Sequence, residues 1–107
     1  MSKILFLILF FSASLFGITK NEIYKLYNNK NFKATCEKGT WILRQNSNDD
    51  TYLSIVSLSC VNSDMINTAI RISKYMGRTK MGRNNASFIS SIFLTKKLLI
   101  QFVYDNI

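Results

Sequence analysis

The chain is short, basic and free of histidine: 107 residues with 14 Lys and Arg against 6 Asp and Glu, no His, no Pro and 2 Cys. Without histidine there is no Ser-His-Asp or Cys-His nucleophilic arrangement and no HExxH motif. Two cysteines alone fall short of the four nitrogen or sulfur ligands that a structural zinc requires.

Lys3 precedes an unbroken apolar run over residues 4–11, which gives way to Ser12, Ala13 and Ser14. This layout predicts a secretory signal peptide over residues 1–17, cleaved after Gly17 or, alternatively, Ser14. Even extended to Ile18, the apolar stretch is shorter than the ~20 residues of a spanning helix. No cysteine closes it to accept a lipid. Removing residues 1–17 from 107 leaves 90, one small soluble domain over residues 18–107. Such a domain buries only about 60–65% of its unfolded surface, so a disulfide is a common source of extra stability in an exported chain. The load of Asn, Ile, Lys and Phe suits an AT-rich bacterial genome, which places the expected destination in the periplasm or outside the cell.

Loss of Lys3 leaves 13 Lys and Arg against 6 Asp and Glu, a net charge of +7. A surface of that sign favours anionic partners. Outside the cytoplasm these are acidic protein surfaces, phospholipid headgroups and cell-wall polymers, while nucleic acid is disfavoured.

The first element behind the leader is a short helix over residues 20–27. Thr19-Lys20-Asn21-Glu22 has the form of a capping box, and Ile23, Leu26 and Tyr27 share one side. Residues 28–31 break it. A second segment carries Phe32, Cys36, Ile42 and Leu43 around Gly39, which either ends a helix, leaving residues 40–44 as a strand, or admits a close neighbour.

A polar linker over residues 45–50 follows, with Asp49 or Asp50 placed as an N-cap. Residues 52–60 are compatible with either period, although Leu53, Val56 and Cys60 recur at helical spacing. Asn62-Ser63-Asp64 supplies another turn and cap. Met65, Ala69, Ile72 and Met76 then form a clear amphipathic stripe, with Arg71 and Lys74 off it. A basic loop is expected over residues 77–85, GRTKMGRNN, with too few glycines and no preceding strand for a phosphate loop. The last helix, residues 86–104, carries Phe88, Ile92, Leu99 and Phe102 on one face, interrupted only by Thr95. So apolar a helix is either central to the core or half of an interface.

A shift of 34 residues superimposes residues 28–30 on 62–64, Phe32 on Ile66, Thr35 on Ala69, Gly39 on Ser73 and Ile42 on Met76. That period, with an aromatic or aliphatic residue opening each second helix and a small residue three positions on, resembles a tetratricopeptide repeat over residues 19–76. The segment FKATCEKG, with Ala34 and Cys36 behind Phe32, is similar to the second-helix openings of exported Sel-type repeat proteins. Both units lack the family's early aromatic and its closing proline. The resemblance implies an all-α fold of antiparallel helical hairpins, about five helices in all, ending in the apolar C-terminal helix.

It also implies a geometry for the cysteines, with Cys36 near the start of the second helix and Cys60 near the end of the third, level across an antiparallel pair. A disulfide there competes with two buried free thiols; a redox pair lacks the C-x-x-C spacing. Carboxylate-pair catalysis would need two of Glu22, Glu37, Asp49, Asp50, Asp64 and Asp105 to converge, and Asp50 and Asp64 are better explained as helix caps. The chain is therefore expected to be a non-enzymatic exported module, without cofactor or metal. Its expected partner is an acidic protein or peptide met by Arg71, Lys74, Arg78, Lys80 and Arg83. The alternative is association of that cluster, with Lys96, Lys97 and the apolar helix, with an anionic membrane or cell wall.

Overall fold

The computed structural model describes residues 17–105. The expected signal sequence, up to residue 16, lies outside the described residues. Five α-helices and no strand occur among the described residues: α1 (Lys20–Asn28), α2 (Phe32–Trp41), α3 (Asp50–Asn62), α4 (Ile66–Ser73) and α5 (Lys80–Asp105), with a 3-10 turn at Arg44–Asn46. The ambiguous residues 52–60 are therefore helical, and residues 40–44 complete α2 and enter the 3-10 turn. Helices α1, α2 and α3 begin where polar side chains satisfy free backbone donors. Thr19 accepts from the Glu22 N–H at 3.3 Å, Asn31 from the Ala34 N–H at 3.4 Å and Asp49 from the Tyr52 N–H at 3.2 Å.

The α1–α2 and α3–α4 connections are the same turn, built twice. Lys30 and Asp64, 34 positions apart, are the only non-glycine residues with positive φ among those described, at 60° and 61°. In the first turn the Lys30 N–H donates to the Tyr27 carbonyl at 2.9 Å and the Asn31 N–H to Leu26 at 3.0 Å. In the second, Asp64 donates to Val61 at 3.1 Å and Met65 to Cys60 at 2.8 Å. These are the paired bonds of a Schellman ending, which requires one left-handed residue. Phe32 and Ile66 then open α2 and α4 at equivalent positions, and Thr35 and Ala69 are both fully buried. Asp64 is thus the left-handed residue closing α3, and its carboxylate pairs with Lys96. It is not the cap of α4, whose N-cap is Met65.

Helix α3 is the centre of the bundle and packs against all four others. Its antiparallel register on α2 is fixed at three points. Cys36 and Cys60 are disulfide-bonded with Cα atoms 4.8 Å apart. A Cβ on Gly39 would stand 2.6 Å from Val56 Cγ2, so glycine is required for the two backbones to approach this closely. The fully buried Tyr52 donates its hydroxyl to the Gly39 carbonyl at 2.6 Å. Gly39 is therefore the close-approach residue inside α2, not its terminator. The remaining core is Ile23, Ile42, Leu53, Ala69, Ile72, Met76 and Ile89. A disulfide-bonded pair is the covalent state that an oxidising, exported environment sustains.

Helix α5 starts six residues earlier than the sequence pattern indicates, absorbing Lys80 to Asn85 from the expected loop. It lays Gly82 and Ile89 on the bundle and then runs past it. Leu98, Leu99, Ile100, Val103 and Tyr104 are 53–76% exposed. Of the two roles open to this helix, its C-terminal half therefore does not serve the core.

Two stability effects follow. Reduction, or paired Cys36→Ser and Cys60→Ser substitution, is expected to cost about 3–4 kcal/mol in urea unfolding, the closure entropy of a loop this long. Lys30→Gly removes a left-handed lysine and should stabilise by about 0.5–1 kcal/mol in the same assay. Asp64→Gly should show no such gain, because aspartate tolerates this conformation better and the Lys96 pair is lost.

Candidate functional site

Two adjoining hollows lie between the C-terminal end of α2 with the following 3-10 turn and the outer face of α4. One, of about 400 Å³, is lined by Thr40, Leu43, Arg44, Ser47, Leu53 and Tyr75. The other, of about 260 Å³, shares Thr40, Leu43 and Tyr75 and adds Thr68, Arg71 and Ile72. The three shared residues make the two hollows one groove. Leu53 and Ile72 belong to the buried core and form its floor, while Tyr75 stands 58% exposed at its side. Its only charged lining residues among those described are Arg44, beside one hollow, and Arg71, beside the other.

Local structure explains how these side chains arrive there. The Asn46 side chain donates to the Ile42 carbonyl at 2.9 Å and the Asn46 N–H to Leu43 at 3.0 Å, tightening the chain into the 3-10 turn that carries Arg44. Helix α4 ends at Ser73, and the Tyr75 and Met76 N–H groups bond back to Ile72 and Ser73 at 3.0 and 3.1 Å. Met76 remains buried, while Tyr75 is turned outward beside Arg71 and Leu43.

The five basic residues singled out in the sequence are exposed but serve different places. Arg71 lines the groove, and Lys74 caps the end of α4. Arg78, Lys80 and Arg83 lie at the entry to α5. Arg44 has no part in that sequence cluster and joins Arg71 only through the fold. Its sequence signal was limited to a lone arginine after the α2 hydrophobic stripe. Cys36 and Cys60 are buried in their bridge and belong to the scaffold. No group of three or more His, Cys, Asp or Glu residues is placed to hold a metal ion among the described residues.

The entry to α5 is organised by one carboxylate. Asp50, the first residue of α3 and only 4% exposed, accepts from the Arg78 N–H at 3.1 Å, the Thr79 N–H at 2.7 Å and the Thr79 hydroxyl at 2.9 Å. The same Thr79 oxygen accepts from the Gly82 N–H at 2.9 Å, so Thr79 caps α5 and Asp50 holds the cap. A Cβ on Gly82 would come 2.1 Å from Asp50 Oδ2, which leaves room only for glycine. The loop-to-helix junction is therefore structural, and the Arg83 guanidinium adds a bond to the Gly77 carbonyl at 3.3 Å. The cap of α3 itself is Asp49, whose carboxylate is paired with Lys20.

Both carboxyls are shifted in the same direction. Asp49 is held below its ordinary 3.8, chiefly by the Lys20 hydrogen bond. Around Asp50 burial opposes ionisation, but the hydrogen bonds from Thr79 and Arg78 outweigh it and also leave the carboxyl below 3.8. A carboxyl with a depressed folded pKa contributes stability that is present above the unfolded value and lost as pH falls through the folded one. Thermal midpoints should therefore hold from about pH 7 to about pH 5 and drop below about pH 4. Asp50→Asn should lower the midpoint at neutral pH and flatten that acid limb.

Compared with protein-family models, with curated proteins and with solved structures, the chain matches none of them significantly.

Proposed function

We propose that this protein is a non-enzymatic, exported interaction module, periplasmic or secreted, that holds an acidic segment of another protein in the groove between Leu43 and Tyr75. The observation that carries the reading is the lining: an apolar floor, an exposed tyrosine and two arginines, with no acidic side chain to oppose an anionic guest. Tyrosine and arginine are the side chains that dominate binding energy at protein interfaces. Arginine meets a carboxylate with two parallel hydrogen bonds, so the groove selects a carboxylate beside an apolar or aromatic side chain. The net charge of +7 after leader removal draws such a segment in from a distance. A stack of helical hairpins, as in the tetratricopeptide repeats that the 34-residue period resembles, suits this work because each repeat adds to an extended binding surface.

The test is selection from a displayed library of random peptides on the disulfide-intact protein, followed by titration of the enriched peptides. Enriched sequences are expected to combine Asp or Glu with Phe, Tyr, Leu or Ile, and their affinity should fall with added salt. Arg44→Ala and Arg71→Ala should each weaken binding about tenfold, the worth of one charge-assisted hydrogen bond. Tyr75→Ala should weaken it at every salt concentration. Enrichment of basic or purely polar peptides, or binding indifferent to all three substitutions, would remove the groove from consideration.

A further inference from the structure

Two buried polar atoms at the start of α3 stand without a hydrogen-bond partner among the described residues: Asp50 Oδ1 and Ser54 Oγ. Each residue is only 4% exposed. The imbalance at Asp50 is marked, because its other oxygen accepts three bonds, from the Arg78 N–H, the Thr79 N–H and the Thr79 hydroxyl. Ser54 is the exception among the serines of its helix. Ser57 and Ser59 return their hydroxyls to the Ser54 and Ile55 carbonyls at 3.2 and 2.7 Å, the ordinary way for a helical serine to satisfy itself. The Ser54 hydroxyl makes no such bond.

The two atoms belong to neighbours on one face. Residues four apart lie one above the other along a helix, and a helical side chain leans toward the N-terminus, so Ser54 leans toward Asp50. Cβ atoms in this relation are about 5–6 Å apart, a span that two hydrogen bonds of about 2.8 Å meet end to end. Helix α5 closes the place from above. Gly82 lies so close to the Asp50 carboxylate that a Cβ there would stand 2.1 Å from Oδ2.

We infer that a buried water molecule bridges Asp50 Oδ1 and Ser54 Oγ, donating to the carboxylate and accepting from the hydroxyl. Chemistry selects the occupant. A water is both donor and acceptor, and as few as two polar partners hold it inside a protein, which is the set that this pair presents. A hard cation takes about six or more oxygen ligands. No group of three or more His, Cys, Asp or Glu residues is placed to supply them among the described residues. An anion is excluded by the charge of Asp50 itself.

The bridge completes the joint between α3 and α5. Oδ2 holds Arg78 and Thr79 at the entry to α5, while Oδ1 is tied through the water to the next turn of α3. With both oxygens engaged the carboxylate cannot turn about its own axis, so the cap that Thr79 gives to Gly82 keeps its direction.

A crystal structure of the disulfide-intact protein, at a resolution that orders single waters, tests this. A peak within about 3.2 Å of both Asp50 Oδ1 and Ser54 Oγ is expected. Magnetic relaxation dispersion of the solvent, which counts long-lived internal waters, should register the loss of one such water in Ser54→Ala, with circular dichroism unchanged. A Ser54 hydroxyl found on the Asp50 backbone carbonyl, with no peak between the two side chains, overturns the proposal. A peak ringed by six oxygens would be a cation and overturns it equally. An undiminished dispersion in Ser54→Ala removes Ser54 as an anchor and with it the bridge.

Discussion

The close seating of α3 on α2 is the contact on which the rest of this small bundle depends. It is secured along its length by three unlike devices: the Cys36–Cys60 bond, the missing side chain at Gly39 under Val56, and the Tyr52 hydroxyl on the Gly39 carbonyl. The bridge acts mainly by restricting the unfolded chain, whereas Gly39 and Tyr52 act in the folded state. Burial pushes the Tyr52 hydroxyl well above its ordinary range, so it remains a donor at any pH the protein meets. A bundle with so few fully buried large side chains gains more from such a directed, covalent seam than from further apolar volume.

From that seam the architecture is passed on through the two ends of α3. At its C-terminal end the Schellman turn at Asp64 sets the direction of α4 and hands its carboxylate to Lys96 of α5. At its N-terminal end Asp50 caps the entry to the same helix through Thr79. Helix α5 is thus held to the two ends of α3, near its first turn and again sixteen residues later. The groove depends on the seam as well. Leu53 on its floor belongs to α3, and Leu43 and Arg44 follow directly from the end of α2.

Much of this was legible in the sequence, and the exceptions share a cause. The apolar stripes of the first four helices, the Thr19 and Asp49 caps and the 34-residue period are local or periodic signals, and each corresponds to a feature of the structure. The choice between a terminating and a close-packed Gly39 could not be made from α2 alone, because it is decided by Val56, seventeen positions away. The early start of α5 was hidden for the same reason: a run rich in glycine and asparagine becomes helical once a buried carboxylate from another helix holds its cap. Asp50 and Asp64 looked like caps of the nearest helix, yet both spend their charge on α5. The groove pairs Arg44 with Arg71 across a fold contact that no spacing encodes.

The length of α5 is the feature that stability does not account for. A terminal helix that closes a stack of hairpins needs an apolar inner face and a polar outer one. Up to Lys96 this helix meets the first requirement with Gly82 and Ile89 and closes with an ion pair. Nothing in the bundle then rewards two and a half further turns of exposed Leu, Ile, Val and Tyr, and in isolation they invite aggregation.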